Sequence, residues 1–403
     1  MTEKRYKKLK CAEDLTRLVE RHYAKARYFR FGQPLAWVTS GAPVELLRAM
    51  DVFPVYPENY GALCGARGEA VALCQAAEAQ GYSGDLCSYA RSSLGMMSQG
   101  KKAPLGGLPR PNLLVCCNNI CGTVLKWYEA ASRFYDTPLF VLDTPFIHDQ
   151  LTEYSIQYVA AQLQELVRFV QKHTGRRLNQ NKLKEIISYS NQATALWQEI
   201  RELCRARPSP LNAPDLFVNM APIVVLRSTK EAVGFYRQLH AEVQERVQRG
   251  IGAIPQERYR LVWDNIAIWY RLYRFYSYFV DRGACFVADT YTGGWAMQLQ
   301  AGEPFECLAR TYTSVFLNQS LEYRGQLLLD LIQHFSADGF VMHSNRSCKP
   351  YSLGQYDVMR QVSQRCRVPG VIIEADMCDS RVYSEEQVKT RIQAFMETLD
   401  AAG

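Results

Sequence analysis

Two short stretches carry residue types able to do chemistry at a metal. One is Cys116-Cys117-Asn118-Asn119-Ile120-Cys121, and the other is His343-Ser344-Asn345-Arg346-Ser347-Cys348-Lys349. Each follows a short apolar run that reads as a buried strand, Asn112-Leu113-Leu114-Val115 before the first and Gly339-Phe340-Val341-Met342 before the second. Each then leads into a helical pattern. Open α/β sheets place their ligand crevice at the carboxyl ends of the strands. Cysteines brought there from distant parts of a chain point to a metal or iron–sulfur site, because thiolates are soft donors that suit zinc and iron–sulfur clusters. The strongest candidates are Cys87, Cys117, Cys121 and Cys348. Neither compact ferredoxin spacing nor paired zinc-ribbon spacing is present, so the ligands must converge by folding. Three such ligands leave one coordination position open, the arrangement that permits substrate chemistry at a metal. The plainer reading of a cysteine is a buried core thiol, and it is the one favoured for Cys11, Cys64, Cys74, Cys204, Cys285, Cys307 and Cys366. Cys378, beside Asp376 and Asp379, stays open between the two.

Ser40 and Glu58 follow the first two strands and so face the same crevice. Glu58 can take or give a proton if burial raises its pKa; the alternative is that Ser40 caps a helix and Glu58 is an ordinary loop charge. His343 adjoins the second cysteine loop and reads either as a proton-handling group or as a structural histidine. Tyr270, Tyr273, Tyr276 and Tyr278 could line a pocket, although core packing explains them as well. No phosphate-binding loop of the GxxxxGK[ST] type and no GxGxxG dinucleotide fingerprint occurs. If the reaction needs ATP or a nicotinamide, another polypeptide binds it.

The elements that must position these residues alternate. Strands are expected over Pro34–Val38, Val52–Tyr56, Leu113–Cys117 and Leu139–Leu142, with helices over 12–28, 69–80 and 123–135 and a further helix capped by Thr39 or Ser40. Such alternation implies a parallel sheet. Residues 151–205 instead show two long amphipathic helices separated by Gly175, and another helix covers 231–249. Alternation resumes with strands over Arg260–Trp263, Cys285–Ala288, Phe340–His343 and Val371–Glu374, and helices over 326–335 and 350–365. The expected fold is α/β: two open parallel-sheet, Rossmann or flavodoxin-like lobes, 1–150 and 256–403, around a helical segment, 151–255, with the site in the crevice between lobes.

At 403 residues, 22% charged and 48% hydrophobic, the chain has a globular composition. Its net charge of +7 is mild. The basic group Lys4, Arg5, Lys7, Lys8 and Lys10 reads as a solvated helix face, not a nucleic-acid patch. The N-terminus does not read as a secretory signal, and no run approaches a membrane span. A cytoplasmic protein is expected, in which 13 cysteines are not a disulfide framework.

These residues also carry a resemblance that runs almost end to end. The relevant stretches are Trp37-Val38-Thr39-Ser40, Tyr56-Pro57-Glu58-Asn59, Cys87-Ser88-Tyr89-Ala90-Arg91, Cys116 to Cys121, Arg207-Pro208-Ser209-Pro210, Asn345 to Lys349 and Asp376 to Arg381. The chain resembles the family that joins 2-hydroxyacyl-CoA dehydratases with ATP-dependent benzoyl-CoA reductases, and most of all the α-type subunit of the 2-hydroxyisocaproyl-CoA class. The resemblance implies a [4Fe-4S] cluster on Cys87, Cys121 and Cys348, with Cys117 as the alternative middle ligand. It implies a homologous second, β-type subunit, an acyl-CoA substrate, and a separate ATP-hydrolysing iron–sulfur activator that injects one electron. In such dehydratases a ketyl radical anion at the thioester carbonyl expels the 2-hydroxyl, and loss of a β-proton with return of the electron gives the enoyl-CoA. Ser40 and Glu58 match polar positions near the substrate. The alternative readings are a subunit of an aryl-CoA reductase and an electron-transfer protein without its own substrate.

Overall fold

The structure is a computed structural model that describes residues 8–28, 30–300 and 302–402; Lys4, Arg5 and Lys7 lie outside the described residues. Four parallel strands, β1 (Leu35–Val38), β2 (Phe53–Val55), β3 (Leu113–Cys117) and β4 (Leu139–Leu142), form one sheet in the order β2-β1-β3-β4. A second sheet, β5 (Tyr259–Asp264), β6 (Ala284–Asp289), β7 (Gly339–Asn345) and β8 (Gly370–Ala375), repeats that order as β6-β5-β7-β8, again all parallel. β1, β2, β3, β5 and β6 are buried throughout. Helices cover both faces of such sheets, and this is why these strands read as unbroken apolar runs. In each sheet the chain builds one neighbour and then crosses to the other side. The switch points therefore lie between β1 and β3 and between β5 and β7, where a ligand crevice opens.

The first lobe carries α1 (Ala12–Tyr28), α2 (Val44–Ala49), α3 (Pro57–Ala66), α4 (Ala70–Glu78), α5 (Ser88–Gln99) and α6 (Thr123–Tyr135). Then come α7 (Glu153–Thr174), α8 (Gln180–Glu202), α9 (Ala213–Asn219), α10 (Ala221–Val225) and α11 (Lys230–Gln248). The second lobe carries α12 (Leu272–Val280), α13 (Thr290–Gly293), α14 (Pro304–Thr313), α15 (Leu321–His334), α16 (Lys349–Ser352), α17 (Gln355–Arg365) and α18 (Glu385–Ala402). The Thr152 hydroxyl accepts the Ser155 N–H at 3.2 Å and starts α7, and Gly175, at φ 70°, ends it in a conformation that favours glycine. One apolar core runs through both lobes and the helices between them. We therefore propose 1–150, 151–255 and 256–403 as topological divisions of a single packed body.

Two local expectations give way. No side chain caps α2, which starts from Pro43. The turn through Gly41 and Ala42 leaves Thr39 and Ser40 too far from its first N–H groups. Thr39 instead accepts the Cys117 N–H through its hydroxyl at 3.0 Å, and Ser40 turns to Glu58. The single helix expected over 350–365 is two, α16 and α17, broken at Gly354, where a Cβ would strike the Leu321 side chain.

A buried polar node locks the parts together. Glu45 of α2 accepts the Ser190 hydroxyl of α8 at 2.7 Å and Arg227 Nε at 2.8 Å on Oε1, and the Tyr312 hydroxyl of α14 at 2.6 Å on Oε2. Burial opposes its charge, but Arg227, Tyr312 and Ser190 outweigh that and hold the carboxyl below its ordinary value.

Candidate active site

Exposure sorts the thirteen thiols. All are free; nine are buried, and only Cys87, Cys121, Cys348 and Cys366 are half-buried. The first three meet at the starts of helices. Cys87 is the residue before α5, and the N–H groups of Tyr89 and Ala90 reach its sulfur. Cys121 stands before α6 and draws N–H groups from Val124 and Thr123. Cys348 precedes α16 and draws the Tyr351 N–H. Burial raises the Cys87 pKa well above its ordinary value, and the neighbouring Cys348 and Cys121 thiolates raise it further. Burial with the Cys121 charge pushes Cys348 up to about 12. Three converging thiols that are costly to ionise without a cation, yet already supplied with backbone N–H donors, fit a group that brings the positive charge itself. Among the described residues no three His, Cys, Asp or Glu side chains close on a single ion. A cubane cluster takes one thiolate per iron, so its anchors stand farther apart than the ligands of one ion.

Hydrogen bonds across the lobes bring Cys87 to Cys348. The Ser88 N–H donates to Ser347 Oγ at 3.0 Å, and that hydroxyl donates to the Asp376 carboxylate. Asp376 Oδ1 accepts the Cys378 and Asp379 N–H groups, each at 2.8 Å. Buried Arg91, one turn beyond Cys87, pairs with Glu78 at 2.6 Å and Asp379 at 2.8 Å. Cys117 stands apart: it is buried in β3, burial pushes its thiol up to about 12, and its polar neighbours are Thr144 and Asp143. Cys378 is a core thiol that donates to the Gly61 carbonyl at 3.3 Å.

Ser40 follows β1 and Glu58 opens α3 directly after β2. Glu58 Oε2 accepts the Ser40 N–H at 2.6 Å and also the Ser40 hydroxyl. Burial raises the Glu58 carboxyl to about 7, and the two Ser40 bonds pull the other way without reversing it. Glu58 is close enough to Cys121 that its charge raises that thiol. Both Ser40 and Glu58 line a cavity of about 550 Å³ whose floor is aromatic. Cys121 is near Glu58 but is not among the residues that line that cavity.

His343 is elsewhere. It is fully buried on β7, its Nδ1–H donates to the Ile266 carbonyl at 2.7 Å, and its ring lies 5.8 Å from that of Trp263. Burial lowers its pKa to about 4, and it does not line the cavity. Nor do Tyr270, Tyr273, Tyr276 and Tyr278; the neighbours Trp269 and Leu272 do. The cavity residues that sequence reasoning missed are Tyr89, Phe217, Trp269, Tyr291 and Trp295, each from a different element. The contact that fixes Tyr89 exists only in the fold: a Cβ on Gly61 would stand 2.8 Å from the Tyr89 ring, and nothing in the sequence joins the two.

A family model described as "2-hydroxyglutaryl-CoA dehydratase, D-component" matches residues 39–399. The chain is 33% identical over 372 residues to the (R)-2-hydroxyisocaproyl-CoA dehydratase alpha subunit of Clostridioides difficile, covering 92% of this chain and 91% of that one. It is 33% identical over 394 residues to the lactoyl-CoA dehydratase alpha subunit of Anaerotignum propionicum, with 94% and 92% covered. A benzoyl-CoA reductase subunit of Thauera aromatica is 29% identical over 372 residues, with 88% and 86% covered.

Proposed function

The chain belongs to the 2-hydroxyglutaryl-CoA dehydratase D-component family, and from that membership we propose that it is the α-type subunit of an (R)-2-hydroxyacyl-CoA dehydratase. The reaction removes water from the acyl thioester to give the 2-enoyl-CoA. The observation that carries this reading is the Ser40–Glu58 pair, half-buried serine on buried carboxyl, set in an apolar cavity wall with Glu58 near Cys121.

Cys87, Cys121 and Cys348 would hold a [4Fe-4S] cluster. Cys121, not Cys117, is the middle ligand in this proposal, because it is half-buried and near the other two. When bound, such a cluster supplies one-electron chemistry and an iron able to act as a Lewis acid. The protein side does the rest. Glu58, with a pKa near neutrality, is suited to accept the β-proton or to hand one to the departing hydroxyl. Ser40 holds Oε2 from two sides, and among the described residues no group donates to Oε1, which is left for the substrate. The aromatic floor keeps water from the reacting carbons.

The relatives are themselves named as subunits, and a second, β-type subunit completes the proposed enzyme. An ATP-hydrolysing iron–sulfur activator is proposed as the electron source, in keeping with the lack of a phosphate-binding loop in this sequence. Thirteen free thiols suit a reducing cytoplasm, and no described helix is long and apolar enough to cross a membrane. The likeness to a benzoyl-CoA reductase subunit favours one second reading, a subunit of an aryl-CoA reductase. Product decides between them. The chain is prepared without oxygen together with its partner subunit and the activator, and given ATP and 2-hydroxyacyl-CoA or benzoyl-CoA. Dehydration with catalytic electron input is expected. Stoichiometric electron consumption with ring reduction would replace the first reading by the second, and failure to bind any acyl-CoA would leave an electron carrier.

A further inference from the structure

We infer, resting on the dehydratase reading above, that the acyl group this site takes is uncharged, apolar and bulky, and that Phe217 and Trp295 select it. Burial gives the cavity a direction. Glu58, Tyr60, Tyr89, Phe217, Tyr291 and Trp295 are buried and make the floor, whereas Thr16, Glu20 and Arg67 are exposed at the mouth. Among the described residues, the cations that line the cavity are Arg27 and Arg67. Arg67 is at the mouth and pairs with Glu69 at 2.9 Å; Arg27 is half-buried and donates to the Gly107 carbonyl. Neither is buried with the floor residues, although the Arg27 charge reaches Tyr60 at its edge. A substrate that carried a carboxylate on its acyl chain would bury that charge without a cation and beside Glu58, an arrangement strongly disfavoured over leaving it in water.

The floor is also too broad for a methyl group. Trp269 Nε1 donates to the Tyr89 hydroxyl at 2.6 Å. The Phe217 ring lies 6.2 Å from the rings of both Trp269 and Tyr291, and Tyr291 lies 6.4 Å from Trp295. Five aromatic side chains thus form one connected wall. A small acyl substituent leaves this wall without contacts and forfeits dispersion attraction, whereas a branched or aromatic one fills it.

The two selecting residues are held firmly from outside the first lobe. Phe217 sits on α9, whose Asn212 and Asp215 form a reciprocal cap, and Asn212 Oδ1 also accepts the Phe286 N–H of β6 at 2.8 Å. Trp295 follows α13, where the Thr292 hydroxyl donates to Asp289 at 2.7 Å. The reacting pair Ser40–Glu58 comes from the first lobe. Acyl selection and proton handling therefore reside on different parts of the chain, and one can be changed without the other.

The test uses the complete enzyme with partner subunit and activator, and four (R)-2-hydroxyacyl-CoA thioesters: 2-hydroxy-4-methylpentanoyl, phenyllactoyl, lactoyl and 2-hydroxyglutaryl. The first two should exceed the last in kcat/KM by at least about 100-fold, and lactoyl by at least about 10-fold. A preference for 2-hydroxyglutaryl or lactoyl overturns the inference. Phe217→Ala and Trp295→Ala should lower kcat/KM for the bulky substrates by about 10–200-fold and for lactoyl by less; an equal fall for all overturns it, and the milder Phe217→Leu should keep the same order. Binding without turnover separates this inference from the dehydratase reading. Trp269 and Trp295 fluorescence reports titration with 4-methylpentanoyl-CoA and glutaryl-CoA, which lack the leaving hydroxyl. Tighter binding of 4-methylpentanoyl-CoA upholds the acyl class even if no thioester is dehydrated; equal or weaker binding overturns it.

Discussion

At the scale of single residues, Glu58 does two measurable things. Its folded pKa of about 7 lies above the ordinary carboxylate value, so the folded chain holds a proton there that the unfolded chain has released. Stability therefore falls as pH rises through the window from ordinary Glu ionisation to about 7, by roughly 3 kcal/mol if this group acts alone. Glu58→Gln should flatten that slope in denaturant unfolding measured from pH 5 to 8. The same variant should keep its iron and its circular dichroism while losing about 10²–10⁴-fold in dehydration rate, with Ser40→Ala milder. Turnover of Glu58→Gln at the native rate would make the carboxyl a bystander. The thiols make the companion prediction. Cys348→Ala should lose most of the iron of anaerobically prepared protein, whereas Cys204→Ala and Cys117→Ala, which alter buried thiols away from the trio, should keep it. Full iron in Cys348→Ala would remove the proposed ligand set.

Among elements, the Glu45 node is where the parts of the fold are held in register. Glu45→Ala would leave Arg227, 6% exposed, as a buried charge without its carboxylate, a loss of about 3–5 kcal/mol. Because the folded Glu45 pKa is depressed, its contribution is present above the ordinary Glu range and is lost as pH falls through the folded value. The variant should unfold at markedly lower urea, with its deficit shrinking in acid; an unchanged midpoint at neutral pH would show that the node carries no stability. The strands themselves were legible from sequence: Leu113–Cys117 and Leu139–Leu142 were read with their observed ends, each as an uninterrupted apolar run, the first because it is buried throughout and the second although Val141 at the sheet edge is exposed. Position after a strand brought Ser40 and Glu58 to the cavity, but it did not do so for His343, which is buried on β7. What stayed hidden was long-range competition. Ser40 looks like a cap until Glu58, 18 residues on, takes its hydroxyl. Gly354, where the helix breaks, has no room for a side chain because Leu321 occupies the space. No periodicity joins Tyr89, Phe217 and Trp295, so the aromatic floor exists only once the lobes have met.

For the whole molecule, the two sheets share one strand order, and each has one switch point. Cys121 follows β3 at the first, Cys348 follows β7 at the second, and Cys87 is fastened to the second lobe through Ser88 and Ser347. Association with the second subunit should appear as a heterodimer in anaerobic sizing and light scattering; robust turnover by this chain alone, without activator or low-potential reductant, would contradict the proposed assembly. The Ser88–Ser347 link also sets a timetable for biosynthesis. Its partners lie 259 residues apart. At about 5–20 residues per second, roughly 13–50 s separate their emergence from the ribosome. Through most of that interval Cys87 and Cys121 are already translated while Cys348 is not. The proposed cluster, if shared among all three, would thus belong to the finished chain, inserted after release or in the last moments of synthesis, and nascent chains arrested before residue 348 should carry no cluster when isolated under anaerobic conditions.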